Sequence, residues 1–265
     1  MSEIKVLVTG ACGKMGREVV KAIAAQHDMR LVAAVDRSQT GEDIGSICGL
    51  GELGVKVGAS LEGAIKEARP DVMVDFTVAE AAAENVGKAI ALGLKWVVGT
   101  TGMPKGTVDR LVQESTKAGV GGLLAPNFAI GAVLMMQMSK VAAKYMPDCE
   151  IIELHHDKKL DAPSGTAKAT AAMMAAEGGR SRAHDAEEPP SRGGEFDGIK
   201  IHSVRLQGFV AHQEVIFGGL GQVLTIRHDS LGRESFMPGV ILAVRKVMGL
   251  DGPVIGLEKV MGLDF

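Results

Sequence analysis

Short apolar runs alternate with stretches of helical periodicity through the first half of the chain. Residues 4–8 are rich in β-branched side chains and predict a strand, and behind them Val19, Val20 and Ile23 recur at helical spacing. The alternation continues with predicted strands at 31–35, 71–76, 95–98 and 122–124, and with predicted helices at 79–92 and 108–118. Residues 41–60 have little periodicity and predict a loop with a short strand at 55–57. Strands that alternate with helices are typical of an α/β fold with a parallel sheet.

A glycine-rich turn joins the first strand to the first helix. Its glycines, Gly10, Gly13 and Gly16, have the spacing G-x-x-G-x-x-G. In a dinucleotide-binding turn, glycines permit the bend, let the backbone approach the pyrophosphate and allow the helix to pack on the strand. The turn therefore predicts a Rossmann-type doubly wound parallel sheet, with cofactor contacts from Gly10, Ala11, Cys12, Gly13, Lys14 and Met15.

Asp36 and Arg37 follow the second predicted strand. An acidic residue at this place can hydrogen-bond the adenosine ribose of NADH, and a neighbouring arginine can bind the 2′-phosphate of NADPH. We therefore expect the cofactor to be NADH or NADPH.

Two later strand ends carry residues suited to close backbone approach. These are Gly99, Thr100 and Thr101 after the strand at 95–98, and Ala125 to Phe128 after the strand at 122–124. Strand ends in a doubly wound sheet meet at one edge, where the ligand binds. Backbone groups in the first of these loops are expected to orient the nicotinamide.

The second half of the chain has a different pattern of predicted helices and strands. An apolar helix is predicted at 129–146, a strand at 149–154 and a helix at 165–176. Runs rich in β-branched residues follow at 199–206, 213–217 and 222–228, and then a helix at 233–248 and a packed tail at 253–265. The runs predict a smaller α+β domain with an open, mixed and mostly antiparallel sheet. Such a sheet needs a cover, so self-association is expected.

One loop in this half carries candidate chemistry. His155, His156 and Lys159 follow a predicted strand, and Ser164 is a good N-cap for the helix that begins at Gly165. A capped helix start offers free N–H groups and a positive dipole end, which favour an anion. Two imidazoles and an ammonium beside it predict a carboxylate pocket with proton donors. A structural role is expected for the other histidines, at 27, 184, 202, 212 and 228.

Composition excludes several classes of protein. A net charge of −3 argues against binding to nucleic acid or to a membrane surface. No segment approaches the roughly 18 apolar residues that a membrane span needs, and residues 1–8 lack the apolar core of a signal peptide. The three cysteines are scattered without C-x-x-C spacing, so we expect neither a metal site nor a disulfide framework, and the cytoplasm is the expected compartment.

The loop and its flanks resemble a known family, 4-hydroxy-tetrahydrodipicolinate reductase, also called dihydrodipicolinate reductase. The family signature E-L-H-H-x-x-K-x-D-A-P-S-G-T-A matches residues 153–167 at every fixed position, and the family's turn G-x-x-G-[RK]-M-G matches residues 10–16. The chain departs from the family where Cys12 replaces a small residue and where residues 211–213 read Ala-His-Gln instead of Gly-Glu-His.

The resemblance implies a function and an organisation. It implies reduction of 4-hydroxy-tetrahydrodipicolinate by NADH or NADPH with loss of water, in lysine and diaminopimelate biosynthesis. It implies a discontinuous dinucleotide-binding domain, 1–127 with 236–265, a substrate-binding and oligomerisation domain, 128–235, and a homotetramer. His155 and Lys159 then have catalytic roles, His156, Gly165 and Thr166 bind the substrate carboxylates, and Gly99, Thr100, Thr101, Ala125, Pro126, Asn127 and Phe128 line the nicotinamide ribose and ring.

Two other functions remain open at this point. The glycine turn and Asp36 suit a non-catalytic dinucleotide-sensing module equally well, and only residues 155–166 argue for an enzyme. Another NAD(P)-dependent reductase, acting on a small imino or amino dicarboxylate, would also fit.

Overall fold

The computed structural model describes residues 3–182 and 189–263, so the predicted structural role of His184 lies outside the described part. The chain forms two compact units, Met1–Phe128 with Phe236–Gly262 (unit 1) and Ala129–Ser235 with Leu263–Phe265 (unit 2). Within the described ranges, no helix is both long enough and apolar enough to cross a membrane. The assignment of dinucleotide binding to unit 1 and of substrate binding to unit 2 stays a prediction.

The helices and strands succeed one another as follows. In chain order they are β1 (Ile4–Thr9), α1 (Lys14–Ala24), β2 (Met29–Val35), α2 (Ile44–Cys48), β3 (Val57–Gly58), α3 (Leu61–Ala68), β4 (Val72–Asp75), α4 (Ala79–Ala91), β5 (Lys95–Val98), α5 (Lys105–Ala118), β6 (Gly122–Leu124), α6 (Ile130–Ala143), β7 (Asp148–His155), α7 (Gly165–Ala175), β8 (Gly194–Phe196), β9 (Ile199–Arg205), β10 (Ala211–Gly219), β11 (Gln222–Ser230), α8 (Met237–Val247), β12 (Pro253–Ile255) and α9 (Glu258–Met261), with short 3-10 helices at Pro190–Arg192 and Arg233–Phe236.

Unit 1 contains a parallel sheet whose described strands have the order β12-β6-β5-β4-β1-β2-β3. The chain moves outward from β1 through β2 to β3, and from β4 it moves the other way, so the strand order reverses between β1 and β4. Their register is parallel, with Thr9 opposite Asp75, so both strand ends lie at the same edge. That edge is the place where doubly wound sheets bind ligands. The predicted Rossmann-type sheet is confirmed.

The core of unit 1 lies between this sheet and its helices. Leu7, Met73 and Val98 are fully buried in the strands and pack with Ala82 and Val86 of α4. Apolar residues on consecutive positions of β4 are buried because helices cover both faces of a parallel sheet. The burial explains why these strands appear in the sequence as continuous apolar runs.

Unit 2 contains a mixed sheet with the order β11-β10-β7-β9-β8 among the described residues. The β7–β9 pair is parallel, whereas β10 pairs antiparallel with both β7 and β11. Inward side chains of β7 alternate with outward ones, and Ile151 packs with Ala171 and Met174 of α7 and Met135 of α6. The predicted open sheet of mixed direction is confirmed.

Some predicted elements are wrong in detail. Residues 44–48 form helix α2 instead of a loop, because the Asp43 carboxylate caps it by accepting from the backbone N–H of Ser46 at 3.1 Å. The same carboxylate accepts from the N–H groups of Leu53 and Val55, both at 3.0 Å, which holds the following turn. The helix predicted at 233–248 begins with a 3-10 turn, and the α-helix starts only at Met237.

Candidate functional site

The glycine turn of unit 1 is shaped by two steric requirements. Gly10 has φ +70°, and a Cβ there would lie 2.7 Å from the carbonyl oxygen of Phe76. A Cβ on Gly16 would lie 2.0 Å from the carbonyl oxygen of Gly10. Gly13 occupies the N-cap of α1, and because it has no side chain, it does not cap the N–H groups of the first turn. The N–H groups at the start of α1 are therefore open to an anion such as a pyrophosphate.

Asp36 ties this turn to the end of β2. Its carboxylate accepts from the backbone N–H of Cys12 at 2.9 Å, and from both the N–H and the hydroxyl of Ser38 at 2.9 Å. Burial raises the pKa of Asp36, but the hydrogen bonds from Ser38 and Cys12 outweigh burial and bring the pKa below its ordinary value. A carboxylate oxygen can accept more than one hydrogen bond, so the partly exposed Asp36 carboxylate can also accept from a ribose hydroxyl.

A cavity of about 560 Å³ opens at this edge of the sheet. Gly10, Gly13, Asp36, exposed Arg37 and Phe76 are among the residues that line it. Its volume lies in the range of ligand pockets, and it combines glycine backbone, a carboxylate and a guanidinium. These residues fit a pyridine dinucleotide.

Asp75 lies at the centre of the same edge, and the sequence interpretation missed it. The side chain is fully buried at the end of β4 and accepts from the hydroxyl of Thr9 at 2.6 Å and the amide of Asn85 at 2.8 Å. It also accepts from the hydroxyls of Thr77 at 2.8 Å and Thr100 at 2.9 Å. One carboxylate thus connects the ends of β1, β4 and β5 with α4.

The residues predicted to line the nicotinamide differ in their exposure and in the groups that they can present to a cofactor. Thr100 is buried and its hydroxyl donates to Asp75, so the hydroxyl hydrogen is not available to a cofactor. Gly99 is required at its position, because a Cβ would lie 2.2 Å from the ring of Phe76. That ring packs against Phe128, with centroids 5.8 Å apart. Of the other predicted residues, Ala11 and Ala125 are fully buried, Lys14, Thr101 and Pro126 are exposed, and Met15 and Asn127 are half-buried.

In unit 2, the buried carboxylate of Glu153 organises the predicted catalytic loop. It accepts from the guanidinium of Arg205 at 2.7 and 3.0 Å, and from the backbone N–H of Ser164 at 3.3 Å. It also makes a hydrogen bond with Nδ1 of His155. Burial alone would raise the pKa of Glu153, but the hydrogen bonds from His155 and Arg205 lower it to about 2.

Strand geometry explains this cluster. Glu153 and His155 are two positions apart on β7 and therefore face the same side of the sheet. Arg205 stands opposite His155 in the parallel β7–β9 register. A buried acid at an inward position was the available signal for Glu153, because Cys149 and Ile151 on the same face are apolar. No local pattern marked Arg205.

Lys159 and the start of α7 are held by the same network. Lys159 Nζ donates to Asp161 at 2.7 Å, and the carbonyl of Asp161 accepts from Arg205 at 2.6 Å. The hydrogen bond from Lys159 lowers the pKa of Asp161. Ser164 caps α7 by accepting from the N–H of Ala167 at 3.1 Å. The capping prediction is confirmed.

The predicted carboxylate-binding residues lie beside this cap. His156 is exposed at the end of β7, Gly165 is exposed in the first turn of α7 and Thr166 is half-buried. A Cβ on Gly165 would meet nothing within 4 Å, so the first turn of α7 is open at the side of Gly165. Unit 2 therefore joins a helix start, an imidazole and an ammonium through a shared hydrogen-bond network. Such a set can bind an anion and exchange a proton with it.

Comparison with known proteins covers both units. The family described as dihydrodipicolinate reductase, N-terminus, matches residues 4–128, and the one described as dihydrodipicolinate reductase, C-terminus, matches residues 131–261. A 4-hydroxy-tetrahydrodipicolinate reductase from Desulfitobacterium hafniense is 52% identical over 96% of this chain and 97% of its own. One from Moorella thermoacetica is 50% identical over 96% of each chain.

A solved structure agrees with these relatives. It is a dipicolinate-bound dihydrodipicolinate reductase from Paenisporosarcina sp. TG-14, which is 42% identical, with a TM-score of 0.87 over 97% of this chain and 99% of its own. The family matches span both units, and the identities hold over nearly the whole length. The chain belongs to the dihydrodipicolinate reductase family.

Proposed function

We propose that the protein reduces 4-hydroxy-tetrahydrodipicolinate to tetrahydrodipicolinate with loss of water, in the route to diaminopimelate and lysine. The observation that carries the proposal is the network in unit 2, in which Glu153 joins His155 to the N-terminus of α7 and Arg205 joins Glu153 to the Lys159 loop. Family membership and the reductase names of relatives at 50% and 52% identity support the same reaction.

The protein supplies protons and charge stabilisation. Reduced nicotinamide dinucleotide, when bound, supplies the hydride. Addition of a hydride to a double bond conjugated with an imine leaves negative charge on the far side of that system, and this charge must be protonated. His155 exchanges this proton, and Lys159 is a second proton donor, because the end of β7 and the loop directly after it present both titratable nitrogens.

Substrate carboxylates are bound at the beginning of α7. The N–H groups of Gly165 and Thr166 lie in the first turn, where the Ser164 side chain accepts from Ala167 instead. Backbone donors and the positive end of the helix dipole together favour a carboxylate. Exposed His156 adds a further hydrogen-bond donor beside them.

The cofactor is held by unit 1 and is NADH or NADPH. Asp36 binds the adenosine ribose, and Arg37 beside it pairs with a 2′-phosphate when one is present. The start of α1 binds the pyrophosphate, and the loops at 99–101 and 125–128 line the nicotinamide. The two residues at the end of β2 together allow either cofactor to bind.

The protein works as a homotetramer in the cytoplasm. Exposed apolar side chains on and beside the edge strand β11, Leu220, Val223 and Leu224, support association through the sheet of unit 2. The free cysteines Cys12, Cys48 and Cys149 suit a reducing compartment. Light scattering in dilute solution is expected to give four times the mass of one chain, and a monomeric mass would contradict the assembly.

Lys159→Met tests the catalytic assignment. In an assay coupled to dihydrodipicolinate synthase, kcat is expected to fall by about 100-fold or more, the scale of a lost acid catalyst. Lys158→Met is the matched control, because Lys158 is an exposed neighbour on the same loop. It is expected to keep its turnover. Near-normal turnover of Lys159→Met would remove Lys159 from the mechanism, and absence of turnover in the unmodified protein would refute the proposed reaction.

A further inference from the structure

We infer that Glu153 is a positioning residue that fixes His155 in the tautomer with hydrogen on Nδ1, so that Nε2 exchanges the proton with the substrate. This inference rests on the proposed function and deepens it. Glu153 is fully buried, whereas His155 on the same face of β7 is partly exposed. The pair therefore runs from the interior of unit 2 to its surface.

The neighbours of Glu153 decide the direction of the hydrogen bond. Arg205 donates to both carboxylate oxygens, and the backbone N–H of Ser164 donates to one of them. A carboxylate with a guanidinium and a backbone donor around it stays ionised and can only accept. Nδ1 of His155 must therefore carry the hydrogen that it shares with Glu153. Nε2 is left as the ring nitrogen that gains or loses a proton.

The same carboxylate sets the place of the imidazole relative to the helix start. The Glu153 oxygen that accepts from Ser164 also accepts from Arg205, and Arg205 in turn binds the carbonyl of Asp161. One side chain thus holds His155, the N-cap of α7 and the end of the Lys159 loop. A proton donor held in this way does not reorganise when the substrate binds, which is the contribution of a buried partner to an active-site histidine.

Glu153→Gln tests the inference by kinetics. The glutamine amide can donate to Nδ1, which favours the other tautomer and turns Nε2 into a donor only. We expect kcat to fall by about 100-fold or more, with the KM for NADH unchanged because the cofactor residues lie in unit 1. In a His155→Asn background, the same change is expected to add no further loss, whereas a merely structural role would cost activity in both backgrounds.

Glu150→Gln is the matched control. Glu150 lies on the same strand and also pairs with a histidine and an arginine, His202 at 2.8 Å and Arg192. It faces the opposite side of β7, away from His155. Its kcat is expected to stay within about twofold of the unmodified protein. The mass of each variant is checked by light scattering, so that a change in assembly is not mistaken for a change in catalysis.

The tautomer itself can be read by NMR on the unmodified protein with ¹⁵N-labelled histidine. The His155 signals are assigned by their loss in His155→Asn, and hydrogen on Nδ1 is expected. Hydrogen on Nε2 in the neutral ring, or a Glu153→Gln protein with near-normal kcat, would overturn the inference. This reading stands even if Glu153→Gln does not fold. The NMR measurement also separates this inference from the proposed function. A protein without reductase activity would refute the function, and the tautomer of His155 could still be measured in it.

Discussion

Acid titration of Glu153 should weaken the fold of unit 2 by a calculable amount. The side chain is fully buried, and its pKa is lowered to about 2 from the ordinary 4.5. Burial opposes this lowering, and the hydrogen bonds from His155 and Arg205 outweigh it. A carboxyl whose pKa is lower in the folded state stabilises that state above the unfolded pKa. The stabilisation is lost as the pH falls toward the folded pKa.

The magnitude follows from the two pKa values. Their difference, 4.5 minus about 2, corresponds to roughly 3 kcal/mol of unfolding free energy near neutral pH. The loss begins as the pH approaches 4.5 and is almost complete at a pH of about 2. About 2 kcal/mol of it should disappear between about pH 6 and about pH 3.

Urea unfolding across this pH range measures the loss for the unmodified protein and for Glu153→Gln. Other carboxyls with lowered pKa, such as Asp28 and Asp36, titrate in both proteins and cancel in the difference. The variant should be less stable near neutral pH, because Arg205 loses its charged partner. The difference in unfolding free energy between the two proteins should decrease by about 2 kcal/mol on acidification to about pH 3. If this difference in unfolding free energy stays constant with pH, Glu153 is not an ionised partner of Arg205 in the folded state.

Two further changes test the edge of the sheet in unit 1. Gly16→Ala should abolish NADH binding measured by calorimetry, because the added Cβ would lie 2.0 Å from the carbonyl oxygen of Gly10. Gly87→Ala is the control and should leave binding intact, because its added Cβ would meet no atom within 4 Å. Binding retained by the first variant would contradict the steric argument. Thr100→Val removes a hydrogen bond to Asp75 and should cost about 1–3 kcal/mol in urea unfolding and raise the KM for NADH. An unchanged unfolding free energy would count against the role of Asp75.

The sheet of unit 1 could be predicted from sequence because its signals are local. Apolar runs such as residues 72–74 are buried on both faces, and Gly13 and Gly16 meet steric demands from Gly10 within the same turn. Helix α2 was not predicted, because it is short and part of what stabilises it is not local. It has only five residues, and the Asp43 carboxylate stabilises it through contacts that reach as far along the chain as Val55.

The chemistry of the candidate site was only partly visible in the sequence. The loop with His155, Lys159 and Ser164 could be found because its residues are contiguous. Arg205 is 52 residues away from Glu153 in the chain and meets it only through the β7–β9 pairing. Asp75 likewise joins side chains that are distant in sequence, such as Thr9. Sheet register creates these contacts, and no local pattern encodes it.

The most direct test of the central claim follows a labelled hydride. The purified protein is incubated with NADH that carries deuterium at the transferred position and with the product of dihydrodipicolinate synthase, and the reduced product is analysed by mass spectrometry. We expect one deuterium in the tetrahydrodipicolinate ring for each NADH oxidised. NADH oxidation without deuterium in that product, or no oxidation when the substrate is present, would contradict the proposed reaction.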